Sequence, residues 1–153
     1  MSVKDFIDVG KKNFSKTDGL LYAMLYVYIV TFIVFPGVAT KYVLKFFDSF
    51  SNAFSWSFVF ILTVYSIFDS IGRKLGSIEK FDVDPLGIKI MSLSRTFFIL
   101  TFMFIAFNLH PTFVFHSSVF IILNLILFSF SHGYIQTLCA VKAPETVPPE
   151  ERG

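Results

Sequence analysis

Charge-free length constrains this chain more than any motif does. Between Asp18 and Lys41 lie 22 residues without an Asp, Glu, Lys or Arg, between Asp48 and Asp69 lie 20, and from Thr96 to Val141 none occurs. An α-helix rises about 1.5 Å per residue, so about 20 apolar residues cross a hydrocarbon core about 30 Å thick. Each of the first two stretches has that length, and the third holds it twice, divided by Asn108, His110, Pro111 and His116. The pattern predicts four membrane helices, at about residues 19–40, 49–71, 88–109 and 116–138.

Composition supports a chain that lives in lipid. Hydrophobic residues make up 54%, charged ones 16%, and mean hydropathy is +0.68; with 22 Phe, a soluble fold of this length lacks the polar residues to cover its core. In a bilayer every backbone N–H and C=O must be satisfied within its own segment. That selects helix over the β preference of the many Phe, Ile and Val residues. The expected fold class is therefore all-α, a polytopic set of four transmembrane helices. A net charge of +2, with basic residues scattered between apolar blocks, argues against a nucleic-acid surface. The single Cys139 excludes an internal disulfide and a thiolate metal cluster, and reads as a small buried apolar residue. The first apolar block is too long for a signal-peptide core and lacks a small-residue cleavage site after it, so it is expected to stay in the mature protein.

The basic residues set an orientation. Four Lys precede the first segment, two lie between the first and second, five Lys or Arg lie from Arg73 to Arg95, and two follow the fourth. The positive-inside rule puts both termini and the Arg73 to Arg95 loop in the cytoplasm. Lys89 and Arg95 fall in the first turns of the third segment and are expected to snorkel to the interface or to pair. Residues 1–18, with Phe6, Ile7, Val9 and Phe14 among Lys and Asp, read equally as an interfacial stretch or a solvated cytoplasmic lead-in. Residues 142–153, rich in Pro and Glu, read as a disordered cytoplasmic tail.

The second segment carries the chemistry. Thr63, Ser66, Asp69, Ser70 and Arg73 recur at three- and four-residue steps, forming one polar stripe on an otherwise apolar helix. One reading is an Asp69–Arg73 ion pair that softens burial and anchors the helix at the inner interface. The other is a polar pathway, because ionisable residues inside membrane segments gather along substrate routes. A carboxylate beside a guanidinium accepts from ligand hydroxyls and donates to ligand oxygens or ring nitrogens, which suits a neutral polar solute. Phe35-Pro36-Gly37 marks a kink or a helix end. Asn108, Asn124 and His132 read first as hydrogen-bond partners between helices. His110, His116 and His132 lack metal-ligand spacing, and the chain shows no nucleophile elbow, helical His pair or phosphate-cradling loop. Neither metal, cofactor nor enzymatic activity is expected.

Phe68-Asp69-Ser70-Ile71-Gly72-Arg73 resembles the Phe-Asp-x-x-Gly-Arg motif of the equilibrative nucleoside transporter family, carried in the C-terminal half of its members. Phe35-Pro36-Gly37 looks like the end of that family's seventh helix, Arg95 with Asn108-Leu109-His110-Pro111 like its ninth, and Phe128-Ser129-Phe130-Ser131-His132-Gly133-Tyr134 like its tenth. The resemblance covers Leu20 to Ala140. It implies an architecture similar to part of a major-facilitator-like half, in the plasma membrane or an intracellular membrane. It also implies downhill movement of nucleosides or nucleobases, with Asp69 and Arg73 as substrate contacts beside Ser66 and Ser70. Pro36, Gly37, Gly72, Arg95, Asn108 and His132 are expected in structural or gating roles. Two positions depart from the family pattern: Ser66 and His132 stand where the family usually has Asn. Family members have six helices before this stretch and one after it, so the resemblance implies a truncated or split C-terminal part. Its implied partners are the nucleoside or nucleobase, membrane lipid, and the missing N-terminal half or another transporter chain. The alternative expectation is a non-transporting four-helix scaffold or regulatory subunit that binds another membrane protein.

Overall fold

The computed structural model describes residues 3–35, 37, 43–78, 80, 83–107 and 117–145, with side chains from Gly19 onward. The expectations for Pro36, Asn108, His110, His116 and residues 146–153 lie outside the described residues. The fold is all-helical: α1 is Val3–Val34, a short 3₁₀ turn follows at Lys45–Phe47, and then come α2 (Ala53–Gly76), α3 (Pro85–Ser94), α4 (Thr96–Ala106) and α5 (Ser118–Glu145). Three stretches among the described residues, Ala53–Gly76, Pro85–Ala106 and Ser118–Glu145, are long and apolar enough to cross a membrane. The apolar part of α1, Gly19–Val34, is shorter.

Local chemistry explains the helix ends. The C-cap Ser77 donates its N–H to the Arg73 carbonyl, and Arg73 and Lys74 place positive charge against the negative end of the α2 dipole. Pro85 opens α3 after Asp84, where its missing N–H costs nothing and its fixed φ is already helical. α1 is helical from Val3, so residues 3–18 continue into the first segment without a break. One end differs from expectation. Residues 142–145, expected in a disordered tail, form the last turn of α5. Ala140, Lys142 and Ala143 favour helix, and so near the end Pro144 removes only the hydrogen bond to the Ala140 carbonyl.

The third expected segment is divided at Arg95. There the N–H of Arg95 reaches back to Ser92 O at 3.3 Å, an i−3 instead of an i−4 bond. Three hydroxyls compete for the same stretch of carbonyls. Ser92 donates to Ile88 O, Ser94 to Met91 O and Thr96 to Leu93 O, at 2.7–2.8 Å. Such back-bonding weakens and bends helices.

Lipid tails are as apolar as Leu, so hydrophobicity drives these helices together weakly and close packing has to do it. α2 and α5 share the most extensive interface in the fold. It is built on Gly72 and Gly76, one turn apart on α2, and Gly133 on α5. A Cβ on Gly72 would lie 2.2 Å from Phe130 O, and one on Gly133 would lie 2.1 Å from Asp69 O. Among the described residues the interior falls into two apolar clusters. One gathers Val30, Val34, Ile61, Phe102, Leu125 and Phe128; the other gathers Leu20, Ala23, Val27, Ile88, Ile135 and Leu138. Buried Thr31, Arg95 and His132 fall between them along α1, the α3–α4 junction and α5. Large apolar side chains such as Phe32, Leu86 and Phe97 point outward.

Candidate functional site

Asp69 sits on the face of α2 that turns toward α5, with its side chain 14% exposed. Its Oδ2 accepts from Arg73 Nε at 2.8 Å, one turn along the same helix. Its Oδ1 lies 2.8 Å from Nδ1 of His132 on α5. An ionised carboxylate only accepts, so Nδ1 carries the proton in that contact. Arg73 is half exposed and His132 is 7% exposed, so the pair is anchored from the protein side and open on the other.

The His132 ring is fixed in turn by aromatic neighbours. Tyr28 of α1 meets it edge-on with centroids 5.8 Å apart, and Tyr65 of α2 lies 6.0 Å away. Tyr65 stacks on Phe35 at 4.2 Å. Sequence reasoning did not single out either tyrosine. The available signal was the four-residue step from Tyr65 to Asp69, which puts both on one helix face.

The rest of the stripe is exposed and bonded to its own helix. Thr63, Ser66 and Ser70 donate to the carbonyls of Val59, Leu62 and Ser66 at 2.8–2.9 Å. Each hydroxyl has spent its proton and keeps acceptor capacity toward the outside. Gly72 packs against α5 and is not part of the polar face, and Gly37 is exposed.

Of the two expectations for Arg95, snorkelling to the interface or pairing, the side chain takes the second, with carbonyl and hydroxyl oxygens as partners. It is fully buried. Nη1 donates to Phe128 O at 2.9 Å and to the Ser131 hydroxyl, and Nη2 donates to Thr31 Oγ1 at 3.1 Å. The side chain turns inward, where carbonyl and hydroxyl oxygens replace water. Thr31 and Ser131 were not anticipated from the sequence. Asn124 donates to Phe120 O within its own helix.

Two surface grooves lie elsewhere. One of about 370 Å³ is lined by Tyr22, Tyr26 and Lys89, among others, and one of about 610 Å³ by Phe97, Phe104 and Asn124, among others; neither includes Asp69 or Arg73. Asp69, Arg73, Ser66 and Ser70 thus form one open polar face.

The family model described as nucleoside transporter matches residues 10–153, nearly the whole chain. This chain belongs to the nucleoside transporter family. With three membrane-length apolar helical stretches among the described residues, it is an integral membrane protein. Among curated relatives, human equilibrative nucleoside transporter 1 is 26% identical over 141 residues, covering 86% of this chain and 30% of the human protein. The chain thus spans less than a third of that nucleoside transporter's length. No solved structure matches it.

Proposed function

We propose that this chain forms one wall of a facilitative route for nucleosides, or nucleobases, working by alternating access as a C-terminal part of a nucleoside transporter. The observation that carries the reading is Asp69, held between Arg73 and His132 on an open face of α2 in a member of this family. A carboxylate offers about four lone-pair sites, and two are engaged here, leaving acceptors for sugar hydroxyls. Arg73 Nη groups donate to ligand oxygens or ring nitrogens. Ser66 and Ser70 accept ligand N–H or O–H groups. No bond is made or broken in such a passage, so the role is not enzymatic. The opposite wall comes from the remaining helices of a longer transporter or from another transporter chain. The plasma membrane, with both termini cytoplasmic, is the proposed location.

The test is saturable nucleoside uptake by cells or proteoliposomes carrying the complete transporting assembly. A charge-assisted hydrogen bond contributes about 1.5–3 kcal/mol, so Asp69→Asn should weaken uptake about 10- to 100-fold at equal surface abundance. Unchanged uptake returns Asp69 to the role of an ion-pair anchor.

A second reading is a non-transporting scaffold that binds another membrane protein through outward apolar side chains such as Phe32 and Phe97, which lipid covers equally well. Specific association with a transporter chain, without any nucleoside-dependent thermal shift alone or assembled, decides for it.

A further inference from the structure

We infer that His132 is the positioning residue of the candidate site, setting the direction in which Asp69 presents its free lone pairs to a sugar. The inference rests on the nucleoside-binding reading of Asp69 and goes beyond it by giving the binding geometry a second helix. With Arg73 as its sole partner, Asp69 is poorly defined. Both side chains spring from α2, Arg73 is half exposed, and such pairs hold loosely. His132 comes from α5 and has little freedom. Its ring is buried, meets Tyr28 edge-on and lies beside Tyr65. Gly133, the next residue, brings the α5 backbone onto the Asp69 carbonyl, a contact that any Cβ would prevent. Nδ1 therefore reaches Oδ1 from a rigid support at 2.8 Å.

With one oxygen held from each side, the carboxylate plane is fixed and the remaining lone pairs face away from α5. Aligning an acceptor before the ligand arrives reduces the ordering cost of binding. His132 Nε2 is buried and unpartnered among the described residues, so the ring acts through Asp69 and not by touching the ligand.

Nucleoside uptake kinetics of the assembled transporter test this. His132→Ala should raise KM about 10-fold while maximal uptake per surface molecule changes less than about twofold. His132→Asn and His132→Gln, whose amides can donate to Asp69, should restore KM to within about threefold. Combining His132→Ala with Asp69→Asn should add little to Asp69→Asn alone, because Asp69→Asn already removes the anionic acceptor whose direction His132 sets. If Asp69→Asn raises KM but His132→Ala does not, the inference falls and the nucleoside reading stands. If Asp69→Asn itself leaves KM unchanged, the nucleoside reading falls first. Should His132→Ala fail to fold, His132→Leu, which keeps the volume, takes its place. Loss of folding in both, with normal KM in Asn and Gln variants that also lose the coupling to Asp69, makes His132 a folding residue and overturns the inference.

Discussion

Arg95 grips Phe128 twice. Its Nη1 donates to the Phe128 carbonyl at 2.9 Å, while its guanidinium carbon lies 4.5 Å from the centroid of the Phe128 ring. The ring's electron-rich face and the carbonyl both offer partial negative charge, and the Ser131 and Thr31 hydroxyls add two more acceptors. One side chain at the α3–α4 break thereby ties α1 to α5 without a carboxylate.

Arg95→Ala should cost about 2–5 kcal/mol, mostly through the cavity it leaves. Arg95→Met fills that space, removes a buried charge and strands little, since Thr31 and Ser131 already donate to Val27 O and Phe128 O. Its cost should be less than half as large. Thermal unfolding in detergent, followed through the single Trp56, compares the two.

The glycines divide by what they face. Gly72→Ala and Gly133→Ala drive a methyl group into the backbone of the opposite helix and should each cost about 1–3 kcal/mol or more. Gly19→Ala meets only the end of the Lys89 side chain, which can swing away, and should stabilise α1 by up to about 1 kcal/mol. The yield of monodisperse protein and its melting temperature should rank the variants in that order.

Ser57 is buried on α2 and accepts from the Leu44 N–H at 3.0 Å, pinning the segment before the 3₁₀ turn. Ser57→Ala leaves that donor buried and unpaired, at a cost of about 1–3 kcal/mol. Amide exchange at Leu44 should accelerate correspondingly.

Ser66→Ala and Ser70→Ala should change stability by less than about 0.5 kcal/mol, since both hydroxyls are exposed and bonded only to their own helix. As ligand acceptors they should raise nucleoside KM about 2- to 10-fold. An unchanged KM removes that serine from the ligand-contacting face.

What the sequence made legible was whatever depends on hydropathy and helical step. The charge-free windows overlap α2 and α5, and four-residue spacing put Asp69 beside Arg73. The His132–Asp69 contact crosses 63 positions and depends on how closely Gly72 and Gly133 let two helices approach, which no local pattern encodes. Which of the two outcomes expected for Arg95 holds was hidden for a related reason. A cation near a segment end ordinarily reaches for the interface, but here the bundle supplies oxygens inside. The last turn of α5 was hidden by Pro144, whose meaning depends on whether a helix is already running when the chain reaches it.

Because α2 and α5 meet backbone to backbone along the glycine seam, they behave as one lever. A displacement that tilts Asp69 carries His132, Tyr65 and the Arg95 anchor at Phe128 with it.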